Sequence, residues 1–131
     1  MSMDTIGNFL TIIRNGVLTS KRSVLVPHSN IKMEIAALLK HEGFIRDFQI
    51  IDEDSIKKQL KIELKYVDGE SVIHEIQRES TPGKRKYTKI SQIKPIKGKL
   101  GISILSTNKG IMTDKRAKEL PVGGEVICSV W

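Results

Sequence analysis

Gly101-Ile-Ser-Ile-Leu-Ser-Thr-Asn-Lys-Gly110 passes from an alternating apolar run into small polar side chains, a lysine and a glycine. Ile102 and Ile104, with Leu105 beside them, have the period of a half-buried strand. The spacing predicts a strand over Gly101–Ser106, a second over Gly110–Thr113, and a turn between them. One strand face fixed in a core holds Ser106, Thr107 and Asn108 on a rigid support. Hydroxyls donate and accept, so these positions suit a phosphate oxygen, a base edge or a ribose 2′-hydroxyl. Lys109 adds a cation, and Gly110 admits close backbone approach or positive φ. An ordinary polar hairpin turn has the same composition.

The charge around this turn favours a binding surface. From Ser80 to Thr113 there is no aspartate or glutamate, whereas Lys84, Arg85, Lys86, Lys89, Lys94, Lys97, Lys99 and Lys109 are all basic. The chain's formal charge is +7 and its pI about 9.6, so this stretch is the local source of the excess. An acidic partner follows, either nucleic acid or an anionic surface.

Working outward, the chain of 131 residues reads as α+β in two small lobes. An N-terminal lobe over 1–68 runs α-β-α-β-β, and a mainly β lobe with a short helix occupies 69–131. Asp4 or Thr5 caps a first helix with Ile6, Phe9, Leu10, Ile13 and Val17 at helical spacing. Ser23–Val26 is a short strand stopped by Pro27, and Ser29 or Asn30 caps a second helix. Strands follow over Phe44–Ile51 and Leu60–Tyr66, joined by an acidic turn at Asp52-Glu53-Asp54, with Asp68-Gly69 closing the lobe. In the second lobe, Val72–Arg78 reads as a strand, Pro82-Gly83 as a turn and Ser91–Pro95 as an irregular connection. Thr113 or Asp114 caps a helix ended by Leu120-Pro121, and Gly123-Gly124 opens a last strand over Glu125–Trp131.

Glu125 is the one carboxylate in that last strand. It accepts hydrogen bonds only, so it pairs with a base amino group or a 2′-hydroxyl, or else forms an internal salt bridge with Lys109 or Arg116. Lys84, Arg85 and Lys86 lead into Tyr87, a ring placed either to stack on an unpaired base or to pack on its own lobe. Arg14 in the first helix is a candidate phosphate contact or a solvated face.

Other classes find little support. A single cysteine, Cys128, excludes an internal disulfide and reads as a small buried hydrophobe, and the three histidines have no zinc spacing, so no metal or cofactor is expected. Neither a signal peptide nor a membrane span is read, and no nucleotide-binding or hydrolase motif occurs, so an enzyme is not expected. Gly98-Lys99-Leu100-Gly101 matches the GXXG pattern of KH domains, but it runs straight into a strand and is read as chance. A generic basic DNA- or RNA-binding module is the competing interpretation.

Longer matches give a resemblance to a known family. They are Gly101 through Ala117, Val122-Gly-Gly-Glu-Val-Ile-Cys-Ser-Val-Trp131, Asp4-Thr-Ile-Gly-Asn8, Thr11-Ile-Ile-Arg-Asn-Gly16, Leu39-Lys-His-Glu-Gly-Phe-Ile45 and Arg78-Glu-Ser-Thr-Pro-Gly-Lys-Arg-Lys-Tyr87. Taken in chain order they resemble the bacterial-type small-subunit ribosomal protein eight family. The resemblance implies a two-lobed α+β protein that binds small-subunit rRNA early and helps assemble the platform beside neighbouring ribosomal proteins. It further implies a monomer within the ribosome, of the cytoplasm or of an organelle, and a possible second role as a translational repressor bound to its own mRNA. The family's Ser-Thr-Ser-Lys-Gly turn maps onto Ser106, Thr107, Asn108, Lys109 and Gly110, with Asn108 in place of the commoner serine. Thr81 and Ile12 stand where the family has basic residues, so those two phosphate contacts are either missing here or supplied by Lys84 and Arg14.

Overall fold

The computed structural model describes residues 5–54, 57–89 and 101–131. The chain divides into two compact units, one of Asn8–Ile73 and one containing His74–Trp131. Both mix helix with antiparallel sheet, so the class is α+β. Asp4, the Ser91–Pro95 connection, the Gly98-Lys99-Leu100 part of the GXXG match, and Lys94, Lys97 and Lys99 lie outside the described residues.

In the first unit, α1 (Thr5–Leu18) buries Phe9, Leu10, Ile13 and Gly16 along one face. A Cβ on Gly16 would sit 2.6 Å from a Val24 methyl, so glycine is what lets this helix close on the strand beneath it. β1 (Ser23–Pro27), β2 (Ile45–Asp54) and β3 (Lys57–Leu64) form a sheet in the order β1-β3-β2. Val24 opposes Ile62 and Val26 opposes Leu60, which places all four buried residues on one face. α2 (Asn30–His41) buries Ile35, Ala36 and Leu39, and its cap Ser29 accepts a hydrogen bond from the Lys32 amide at 3.2 Å. The hairpin β4 (Tyr66–Val67) and β5 (Glu70–Ser71) turns at Asp68-Gly69. The acidic turn expected at Asp52-Glu53-Asp54 is instead the end of β2. Asp54 is still paired with Lys57, and an irregularity in the ladder after Ile51 accommodates the extension.

The second unit contains β6 (Ile76–Arg78), β7 (Tyr87–Thr88), β8 (Ile102–Thr107), β9 (Gly110–Thr113), α3 (Asp114–Glu119) and β10 (Gly124–Val130). The sheet order is β6-β10-β8-β9, and β7 also pairs with β10. Thr113 caps α3 by accepting from the Arg116 amide. Leu105, Met112 and Ala117 form a buried cluster with Leu120, Val122 and Val126. Ile104 and Cys128, opposed across the ladder and fully buried, lie on the other face. Alternation along β8 therefore fills both faces of the sheet rather than one.

The strand expected over Val72–Arg78 is shorter and begins at Ile76. The amides of His74 and Glu75 both donate to the Trp131 carbonyl, at 2.7 and 2.9 Å, and Trp131 donates back to Glu75 at 3.1 Å. Those bonds wrap the segment around the chain end and take the donors that a longer ladder needs. β10 itself carries a bulge between Val126 and Cys128. The Ile127 carbonyl, displaced from the ladder, accepts from the Glu79 amide at 3.0 Å and from an Arg78 guanidinium nitrogen at 3.1 Å.

Candidate nucleic-acid interface

β10 is paired on both sides at its first two residues. Gly124 opposes Thr107 of β8 and Thr88 of β7, and Glu125 opposes Ser106 and Tyr87. Residues directly opposite in an antiparallel ladder share a face, so Ser106, Glu125 and Tyr87 form one row across three strands. The glycines before Glu125 make this convergence possible. A Cβ on Gly124 would lie 2.3 Å from the Ser106 carbonyl oxygen, and one on Gly123 would lie 2.5 Å from that of Thr88. β7, in sequence only a basic approach to Tyr87, is thus an edge strand that displays the ring. Tyr87 is 72% exposed, so it does not pack on its own unit.

The turn between β8 and β9 consists of Asn108 and Lys109, followed by Gly110 at φ +110°. Only Gly110 in the turn leaves the ordinary negative-φ region, as in a hairpin with a glycine bulge. Thr107 closes the loop: its hydroxyl donates to the Gly110 carbonyl at 2.9 Å and accepts from the Lys109 amide at 3.0 Å. Its single proton is therefore already directed inward. Ser106 is half-buried and Asn108 exposed, so these two carry the turn's polar groups outward.

Glu125 is held from beneath. Ser80, 1% exposed, donates its hydroxyl proton to Glu125 Oε2 at 2.8 Å and accepts from the Lys86 amide at 2.9 Å. Arg85 donates to the same carboxylate oxygen at 2.9 Å. Burial by itself raises the Glu125 carboxyl pKa. The hydrogen bonds from Arg85 and Ser80 and the charges of Arg85 and Arg78 outweigh it and leave the group below the ordinary carboxylate range. The salt bridge considered from sequence is thus present with a different partner. Arg116 pairs instead with Glu119, one turn away on α3, at 3.0 Å. Sequence alone does not single out Ser80; its signal is a serine just before a Thr-Pro-Gly turn, where hydroxyls commonly bond nearby backbone amides.

The cations differ in commitment. Lys86 bridges to Glu79 at 3.0 Å and Arg85 to Glu125, whereas Lys84 and Lys109 are exposed and make no ion pair among the described residues. Arg14 is half-buried on α1, in the other unit. Among the described residues no group of three or more His, Cys, Asp or Glu is placed to hold a metal ion, and no helix is long and apolar enough to cross a membrane. Burial pushes the Cys128 thiol up to about 12, which keeps it protonated and unreactive at neutral pH.

Comparison with known proteins places the chain in a lineage. The family model described as Ribosomal protein S8 matches residues 4–131. The small ribosomal subunit protein uS8 of Pseudomonas aeruginosa is 49% identical over 132 residues, covering 100% of both chains. Its counterpart in Pseudomonas fluorescens is 47% identical over the same span, and that of Rhizobium etli is 47% identical over 128 residues, covering 98% of this chain and 97% of its own. Identity at this level along the whole length extends the resemblance from separate motifs to the entire sequence, and the chain belongs to the ribosomal protein S8 family.

Proposed function

We propose that this protein is a structural, non-enzymatic component of the small ribosomal subunit that binds small-subunit rRNA directly through its C-terminal lobe, residues 69–131. The row Ser106–Glu125–Tyr87, flanked by exposed Lys84 and Lys109, is the observation that carries the reading. Lys84 and Lys109 neutralise phosphates, an attraction indifferent to sequence. Ser106 and Asn108 hydrogen-bond to ribose hydroxyls or base edges, Tyr87 stacks on an unpaired base, and Lys86 and Arg85 add positive field near their carboxylate partners. Glu125 repels phosphate and accepts from a base amino group or a 2′-hydroxyl, which favours an RNA shape over a uniform backbone. Thr107 and Gly110 set the turn, and Arg14 contributes a phosphate contact from the N-terminal lobe, residues 1–68.

The protein acts as a monomer within the cytoplasmic ribosome, beside neighbouring small-subunit proteins. An mRNA segment folded like the rRNA site would engage the same row, which is the physical basis for repression of its own synthesis. Competition binding to small-subunit rRNA, duplex DNA and random RNA at physiological salt tests the proposal. The expected preference for the rRNA is at least ~10³-fold, the usual lower bound for specific recognition. Equal binding to all three would leave only a generic basic module.

A further inference from the structure

We propose that Ser80 is a positioning residue for RNA recognition, tying the Glu125 carboxylate to the Lys86 backbone and thereby orienting the row that meets RNA. The inference rests on the RNA-binding reading above. At 1% exposure Ser80 cannot itself touch a ligand. Its one proton goes to Glu125 and a lone pair receives the Lys86 amide, so its effect passes through those two groups.

The geometry makes the carboxylate asymmetric. Oε2 receives both Ser80 at 2.8 Å and Arg85 at 2.9 Å, whereas among the described residues Oε1 has only the longer approach of Arg85 at 3.4 Å. One oxygen is anchored and the other keeps acceptor capacity for an outside donor. The chemistry that fits it is an exocyclic amino group or a 2′-hydroxyl of RNA. Through the Lys86 amide the same hydroxyl closes the segment from Ser80 to Lys86, and the Lys86 carbonyl in turn accepts from Val126 at 2.8 Å. Tyr87 follows immediately, so the ring and the carboxylate are set by a common fastening.

The test compares wild type, Ser80→Ala, Glu125→Gln and the double variant, each binding a small-subunit rRNA fragment and random RNA of equal length across a salt series. Ser80→Ala is expected to lower cognate affinity about tenfold, as for a buried hydrogen-bonding group left without its partner. Random-RNA affinity and the salt slope should stay near wild type, because no cation is removed. The double variant should lose no more than the weaker-binding single variant, since both act on one carboxylate. Equal losses on both RNAs, additive losses, or wild-type affinity in Ser80→Ala would overturn the proposal. If Ser80→Ala melts below the assay temperature, Ser80→Cys, which keeps the shape in a slightly larger side chain but weakens the donor, carries the same comparison, and wild-type discrimination there overturns it equally. A wild-type protein that itself fails to prefer the rRNA would instead overturn the RNA-binding reading.

Discussion

Thr107 shows how a residue in a recognition loop can serve the loop before it serves the ligand. Its hydroxyl bonds Gly110 and Lys109, so Thr107→Ala should cost about 1 kcal/mol of stability by urea unfolding. Thr107→Ser, keeping the hydroxyl, should recover most of that loss. Glu125 makes a prediction in pH. Its folded-state pKa lies below the ordinary value, so its contribution is fully present above the unfolded pKa and is lost as pH falls through the folded one. Urea midpoints followed downward from about pH 5 should therefore fall more steeply in wild type than in Glu125→Gln, with the difference vanishing once both states are protonated. At this scale the sequence was partly legible. The residue types at 106–110 disclosed a polar, glycine-ended turn. Which hydroxyl faced inward was not, because that depends on backbone atoms two and three residues away. Glu125's partner was illegible for the same reason, since Arg85 is 40 positions distant and only the β7–β10 pairing brings it near.

β10 is the element on which the site depends. The Gly124 Cβ position is blocked by the Ser106 carbonyl, a backbone atom that cannot swing aside. Gly124→Ala should accordingly push β8 away from β10, destabilising by ~1–3 kcal/mol and weakening RNA binding together. Gly83→Ala is the control: nothing lies within 4 Å of its Cβ position, and thermal melting should be little changed. Helices and caps could be read from sequence because their signals are local, as with Ser29 before α2 and Thr113 before α3. β7 could not, since two residues carry no period of their own. The strand expected from Val72 overruns because its residues look extended, yet the Val72 amide bonds Lys65, that of Ile73 bonds the Ser71 hydroxyl, and those of His74 and Glu75 bond the distant Trp131 carbonyl.

At the scale of the whole molecule, the +7 is the excess of 22 basic over 15 acidic side chains, and pairing within the fold decides which cations a polyanion meets. Arg85, Lys86 and Arg116 each already face a carboxylate, while Lys84 and Lys109 do not among the described residues. Replacing Lys84 and Lys109 together by Ala should flatten the plot of log K against log salt by roughly 1.5, two phosphate contacts' worth. A fluorescence titration at several salt concentrations measures it, and an unchanged slope would place the phosphates elsewhere. Composition revealed the sign of the partner, and pairing within the fold determines how much of that charge reaches it.

The bulge at Ile127 sets the parity of the last strand. Val126 pairs with Leu105 and Cys128 with the next residue, Ile104, so Ile127 is extra and shifts the alternation of β10 by one. Glu125 and Cys128 consequently share a side, one at the polar end and one in the core. Straightening the strand with Ile127 kept would set Ile127 opposite Ile104 and turn the thiol toward the apolar cluster under α3, whereas deleting Ile127 would leave thiol and carboxylate on one side but remove the carbonyl that accepts from Glu79 and Arg78. What the extra residue supplies is a backbone acceptor, so a conservative apolar exchange of Ile127 keeps it where a deletion does not.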